Sequence, residues 1–258
     1  MNSGHFTPGT VVITRVAERH WHALEDDRVV GRGEASRRPD GRTFLSIDAW
    51  HGAVFDHLAE AMLPDLPKPL YTVVDEADLD LTSQWERAGF TTRRREWEYL
   101  VPTDPQVTGL GSASGVTIVA FGEAEERRLR ELDRVIRDEV EATVGWQEMP
   151  AETLSRLHGS TLRDPSKYAV AVQSGQYVGL VRVVSATRLP RIGLIAVRAD
   201  RHRRGIGRTL LAHVLAALHR SGTPTASAEV NESNEAALAL FEGVGARRAS
   251  SNLELVLR

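Results

Sequence analysis

The sequence predicts an α/β (α+β) protein built as two similar halves. Three observations carry this expectation. Stretches of helical and strand periodicity alternate along the 258 residues. A stretch rich in Pro, Gly and Ser divides them, from Pro102 to Gly115. The same turn, strand and helix-end signatures recur in the same order on both sides of it.

Taken from the N-terminus, Asp27-Arg28-Val29-Val30-Gly31 reads as a turn entering a strand. A strand around Leu45-Ser46-Ile47 and a helix around Val54-Phe55-Asp56-His57-Leu58 follow. Trp85-Glu86-Arg87-Ala88-Gly89-Phe90 reads as a helix closed by Gly, and a strand from Glu96 to Val101 comes next. In the other half, Gly175-Gln176-Tyr177-Val178-Gly179 repeats the first signature and Phe241-Glu242-Gly243-Val244-Gly245-Ala246 the second. Asn252 to Leu257 then matches the Glu96–Val101 stretch. The expected organisation is a first domain over 1–103, a linker over 104–115 and a second domain over 116–258.

The second half is the richer in pattern. Val116 to Ala120 reads as a strand. Glu123 to Ala142 carries Leu129, Leu132, Val135, Ile136 and Val140 at helical spacing. Ala151 to His158 reads as a short helix, and Tyr168–Val172 with Tyr177–Val184 as a hairpin across Ser174-Gly175. Ile192–Val197 is an apolar strand, Ile206–Leu218 an amphipathic helix, Thr225–Val230 a strand and Asn234–Glu242 a helix. Two short strands are expected to finish the chain.

Composition narrows the functional classes. The chain has no Cys, which excludes disulfides, a thiol acyl-enzyme and Cys-ligated zinc. The histidines lack metal-ligand spacing: His51 and His57 lie six apart, as do His213 and His219, so no metal is expected. The net charge is −3, which speaks against a nucleic-acid binder. Arg93-Arg94-Arg95 and Arg247-Arg248 read as solvated strand ends. No apolar run approaches the roughly 20 residues that cross a bilayer. No secretory signal pattern opens the chain, so no membrane partner and a cytoplasmic location are expected. Residues 1–102 carry a net −5 and the remainder +2. Four of the five Trp (Trp21, Trp50, Trp85, Trp97) fall in the first half and read as core.

Chemistry concentrates in Ile195-Ala196-Val197-Arg198-Ala199-Asp200-Arg201-His202-Arg203-Arg204-Gly205-Ile206-Gly207-Arg208, a strand, an Arg-rich loop and a helix start. A helix N-terminus leaves about four amide N–H groups without partners and adds the positive end of the dipole. Glycines let an anion approach the backbone, and arginines add charge-assisted bonds. The stretch therefore suits a pyrophosphate. It is not a dinucleotide fingerprint, because the third Gly and the acidic ribose ligand are missing. It is not a P-loop, because no Gly-Lys-Ser/Thr follows.

With Asn234-Glu235-Ala236-Ala237-Leu238-Ala239-Leu240-Phe241-Glu242-Gly243-Val244-Gly245-Ala246 downstream, the loop resembles the paired motifs of the GNAT-fold N-acetyltransferases. The resemblance covers roughly residues 116 to 258. It implies a GNAT fold, with a mixed central sheet flanked by helices, and acetyl-CoA as co-substrate. It further implies that Ile195, Ala196 and Val197 offer backbone groups to the pantetheine arm and thioester. His202, Arg203, Arg204, Gly205, Ile206, Gly207 and Arg208 would surround the pyrophosphate, and Asn234 would bond the pantetheine. The first half resembles the latter part of the same fold without its opening helices. Between its strand and helix stand Asp48 and Asp56 rather than an Arg-rich loop. Tandem members of the family with one degenerate repeat look similar in plan.

The chain also departs from the family pattern. His202 stands where Arg or Gln is usual. Phe241 stands where a Tyr often protonates the leaving thiolate; its ring either packs in the core or lies beside the pantetheine. Glu229, five residues before Asn234, resembles the catalytic glutamate of ribosomal-protein alanine acetyltransferases in this family. It is either a general base or a strand carboxylate facing solvent or paired with an Arg. Glu148 is a weaker candidate, and Glu139 and Glu141 read as the solvated face of the first helix. The expected function is acetyl transfer from acetyl-CoA to a primary amine of a small-molecule or peptide acceptor, by direct attack. The alternative is a non-catalytic acyl-CoA-binding sensor or scaffold.

Overall fold

A computed structural model describes residues 10–38, 41–111, 115–143, 145, 164–184 and 189–258. The described residues fall into two compact units. The first comprises Met1–Arg95 together with Asn252–Arg258, and the second Glu96–Ser251.

The elements of the first unit are β1 (Val12–Ala17), β2 (His20–Glu25), β3 (Arg28–Arg37), β4 (Thr43–Ala49), α1 (Gly52–Met62), β5 (Leu70–Asp75), α2 (Leu79–Arg87) and the start of β6 (Thr91–Pro102). The second unit runs from the rest of β6 through α3 (Pro105–Thr108), β7 (Thr117–Val119), α4 (Glu126–Glu141), β8 (Tyr168–Gln173), β9 (Gln176–Val184) and β10 (Arg191–Val197). It continues with α5 (Ile206–Arg220), β11 (Thr225–Asn231), α6 (Glu235–Glu242) and the start of β12 (Arg247–Leu257). The helix expected at Ala151–His158 lies outside the described residues.

The sheet order is β1-β2-β3-β4-β5-β12 in the first unit and β6-β11-β10-β9-β8-β7 in the second. Neighbours are antiparallel apart from β4–β5 and β10–β11, which are parallel and joined through α1 and α5. Local chemistry makes the two units alike. The β2–β3 turn places Asp26 and Asp27 at positive φ, and the β8–β9 turn does the same with Ser174 and Gly175. Two left-handed central residues match the twist of a two-residue hairpin. Asp78 caps α2 by accepting from Leu81 N, and Asn234 caps α6 by accepting from Ala237 N. Both helices close on a left-handed Gly, Gly89 and Gly245. The amides of Phe90 and Ala246 reach back to the carbonyls of Trp85 and Phe241.

The core of the first unit forms where α1 lays Val54, Phe55, Leu58, Ala59 and Met62 on the sheet. Trp85 sits edge-on between Phe55 and Phe90 at centroid distances of 4.9 and 4.8 Å. In the second unit, α5 and α6 cover Val178, Ala226, Ala228 and Val230 on one face of the sheet. On the other face α4 places Leu129, Leu132 and Ile136 over Tyr168, Val170 and Leu180.

The chain end departs from the sequence expectation. One continuous strand, β12, replaces the two short strands expected, and its last residues complete the first unit. Asn252–Leu257 pair with Asp75–Leu70, which buries Leu253 and Leu255 in the first unit's core. Reciprocally, Glu96–Pro102 of β6 pair with Asn231–Thr225 of β11 in the second unit. The division therefore falls at 95/96 and 251/252 rather than in the Pro/Gly/Ser-rich stretch. Strand pairing between residues 123 to 187 apart in sequence outweighs the composition of the linker. Trp21 and Trp85 are core as expected, but Trp50 is 75% exposed, ahead of α1. Arg93 and Arg94 are not solvated: they pair with Glu254, which is 4% exposed and also pairs with Arg42. Arg95 pairs with Glu76.

Candidate active site

The candidate site begins with a bulge. The β9–β10 register shifts between Ile192 and Leu194, leaving Gly193 extra. A Cβ on Gly193 would come within 3.3 Å of Val184 and 3.4 Å of Arg182, so a larger residue in the bulge would need those side chains to give by a few tenths of an ångström. A bulge increases twist, and here β10 meets β11 at the pair Arg191↔Ser227. Beyond that pair, Leu194–Val197 retain β9 as partner on one side. The Ile195, Ala196 and Val197 backbone therefore borders a gap between diverging parallel strands.

The β10–α5 connection then runs from Arg198 through a 3₁₀ turn, Ala199–Arg201, to Gly205. Gly205 is the N-cap of α5 at φ 79°, and no side chain caps the helix. Arg203 also adopts positive φ, 60°, which is costly for a residue with a side chain. Among the described residues no acceptor meets the amides of Gly205, Ile206, Gly207 or Arg208. Ile206 is buried and anchors the turn, while Arg203, Arg204, Gly205 and Arg208 are exposed. No described carboxylate pairs with Arg203, Arg204 or Arg208. Uncapped amides, a helix dipole and unspent guanidiniums meet at one point, a chemistry that fits a diphosphate.

His202, expected to help surround the pyrophosphate, spends its polar groups within the loop. Its amide donates to Ala199 O at 3.2 Å and closes the 3₁₀ turn. Its ring Nε2 lies 2.7 Å from Val197 O. A carbonyl only accepts, so Nε2 carries the proton in this contact. Asn234 spends its side-chain oxygen on capping α6, which leaves its NH₂ for any ligand.

Phe241 is 5% exposed and packs in the core beneath α5 and α6, stacked on Tyr99 at 6.0 Å. The Tyr99 hydroxyl donates to Glu242 at 2.8 Å and accepts from Arg248 Nε at 3.0 Å. Burial pushes the Tyr99 phenol above its usual range, which keeps it protonated as a donor. Arg248 is exposed at the strand end, as expected, and is also held in this network.

Glu229 lies on the β11 face opposite Ala228 and Val230, the face that α4 covers elsewhere in this sheet. It is paired with Arg191 at 2.9 Å, the pairing that the sequence left open. Glu98 stands directly across on β6, tied down by the Ser250 hydroxyl at 2.6 Å. Glu148 lies outside the described residues.

Glu139 departs from its expected role as a solvated residue. Its carboxylate accepts the Ala199 amide at 2.8 Å and faces Arg198 at 3.8 Å. The apolar spacing of α4 held the signal. Leu132, Ile136 and Glu139 follow at i, i+4 and i+7, so Glu139 extends the buried stripe by one turn. No group of acidic or His side chains suited to a metal occurs among the described residues. A separate groove of 490 Å³ between α3, β7 and α5, with His213 in its wall, shares no residue with this loop.

Among the described residues of the first unit, no Arg-rich loop stands between the corresponding strand and helix. Only Trp50 and His51 separate β4 from α1, too few to fold a cradle. The β4–β5 gap is bridged by the buried Thr72 hydroxyl, which donates to Leu45 O at 3.0 Å.

Solved structures share this plan. A GCN5-related N-acetyltransferase from Sphaerobacter thermophilus aligns over 95% of this chain and 82% of its own, with TM-score 0.68 and 15% identity. A tandem GNAT protein from the clavulanic acid biosynthesis pathway aligns over 98% and 84%, with TM-score 0.66 and 15% identity. At that identity the likeness is one of fold. Residues 128–246 match the acetyltransferase (GNAT) family. Residues 128–246 thus carry the family match, and the fold around them resembles that of GNAT N-acetyltransferase structures, one of them a tandem protein. Over 56 residues it is 45% identical to the [ribosomal protein bS18]-alanine N-acetyltransferase of Escherichia coli K12, covering 22% of this chain and 38% of that protein. Over 84 residues it is 31% identical to the mycothiol acetyltransferase of Streptomyces coelicolor, covering 32% and 27%. The matched segments thus span less than two fifths of these curated relatives. Among the described residues no helix is long and apolar enough to cross a membrane.

Proposed function

We propose that this protein transfers an acetyl group from acetyl-CoA to a primary amine, with the chemistry confined to the second unit. The observation that carries the reading is the uncapped, left-handed N-terminus of α5 beside the open edge of β10. The amides of Gly205 to Arg208, with Arg203, Arg204 and Arg208, would hold the diphosphate. The backbone of Ile195–Val197 and the NH₂ of Asn234 would hold the pantetheine arm. When bound, acetyl-CoA supplies the activated thioester.

The residues on the acceptor side have a proton to manage. An aliphatic amine with a pKa of about 10 is mostly protonated near neutrality and cannot attack. Glu229 is the group placed to take that proton, directly or through a water. Its carboxylate is paired with Arg191, and the pair must loosen for Glu229 to accept. The Phe241 side chain has no proton to give, so the leaving thiolate must depart without a phenol at that position.

The Glu229–Arg191 pair and Phe241 are also the features that favour the second reading, a non-catalytic acyl-CoA-binding module. A panel of polyamines, amino sugars and peptides with free N-termini, each incubated with acetyl-CoA and a free-thiol reporter, separates the two. Amine-dependent thiol release supports transfer. Binding of CoA with no release for any amine supports the sensor.

A further inference from the structure

We propose that Glu139 is a positioning residue for the diphosphate loop, fastening the Arg198–His202 strap to α4 from the opposite side of the strand. The inference rests on the acetyl-CoA reading of the α5 N-terminus.

The strap has few internal restraints. Arg198 N donates to Val178 O at 2.9 Å and holds its start to β9. Arg201 N and His202 N close the 3₁₀ turn on the carbonyls of Arg198 and Ala199. The Ala199 amide opens that turn and has no acceptor within it. Glu139 supplies one at 2.8 Å, from a helix 60 residues earlier in the chain. A carboxylate at the N-terminal end of a helical turn accepts a charge-assisted bond and complements the local dipole. The same carboxylate faces Arg198 at 3.8 Å, and Asp200 is the other acid beside that guanidinium, at 3.5 Å. Glu139 therefore grips two consecutive residues of the strap, one through the backbone and one through charge.

The consequence lies downstream. Two and four residues after the turn, Arg203 and Gly205 must both hold positive φ for the α5 amides to converge. Those conformations persist only if the segments before and after them are fixed. Ile206 fixes the far side by burial. Glu139 fixes the near side together with the His202 ring on Val197 O. Loss of Glu139 should therefore cost affinity for the diphosphate, while Glu229 and the acceptor face remain as they are.

The test compares Glu139→Ala and Glu139→Gln with the unaltered full chain, using CoA in calorimetry. Acetyl-CoA and S-acetylpantetheine, which lacks the diphosphate, serve as alternative donors in turnover. The expected result is a roughly tenfold weaker CoA Kd for Glu139→Ala, in keeping with loss of a charged hydrogen bond. KM for acetyl-CoA should rise by a similar factor with kcat retained. Glu139→Gln, which keeps an acceptor oxygen, should recover most of the loss. Kinetics with S-acetylpantetheine should not change. An unchanged CoA Kd in Glu139→Ala, or an equal loss with both donors, overturns the role. Failure of the unaltered chain to bind CoA defeats the acetyl-CoA reading itself, and this inference with it.

Discussion

Arg203 and Gly205 occupy left-handed backbone within three residues of each other, and the helix that follows has no side-chain cap. Natural helices usually satisfy that end with Ser, Thr, Asp or Asn. Leaving it open forgoes the side-chain cap and keeps those amides available to a ligand. Glu229 shows the limit of reading single residues. Its spacing from Asn234 marks it in the sequence, but Arg191 as its partner comes from a bond across diverging strands. If Glu229 serves as the general base, Glu229→Gln should lower kcat by roughly 10²–10⁴-fold. CoA affinity in calorimetry should stay as it is. A kcat within twofold of the unaltered protein would remove Glu229 from the chemistry. The Arg-rich loop and both glycines were legible because a helix start is a local event. Glu139 and the Tyr99–Glu242–Arg248 network were not, because each joins residues far apart in sequence.

The elements that recur between units are those written in short-range chemistry. Paired left-handed residues set the turns at Asp26-Asp27 and Ser174-Gly175, and side-chain oxygens of Asp78 and Asn234 start α2 and α6. The arginines of β6 could not be placed in this way. Polar strand residues look solvated until the neighbouring strand is known, and the neighbour here brings the buried Glu254. Removing one member of a buried ion pair strands the other charges, at a cost of about 3–5 kcal/mol. Glu254→Ala should therefore destabilise the protein by an amount of that order in urea unfolding. The loss should follow the first unit, seen through the fluorescence of buried Trp21 and Trp85. A change below about 1 kcal/mol, the range of exposed pairs, would mean that Arg42, Arg93 and Arg94 do not depend on it.

Across the whole molecule, the last residues of the chain belong to the first unit. Composition suggested two halves separable at the linker. The structure instead completes each half with a strand from the other end of the division, and no local pattern announces such an exchange. Deleting 252–258 should expose the edge of β5 and remove Leu253 and Leu255 from the core. The shortened chain should aggregate or lose its first-unit transition in thermal unfolding. A cooperative transition like that of the full chain would show that the exchange is dispensable. The central claim, that the α5 N-terminus of the second unit holds the cofactor's diphosphate, is tested most directly by calorimetric titration of CoA into the full chain and into Gly205→Glu. Saturable one-to-one binding to the former and none to the latter is the expected result, since a side-chain carboxylate would stand where the diphosphate belongs. Equal affinity in both would contradict it.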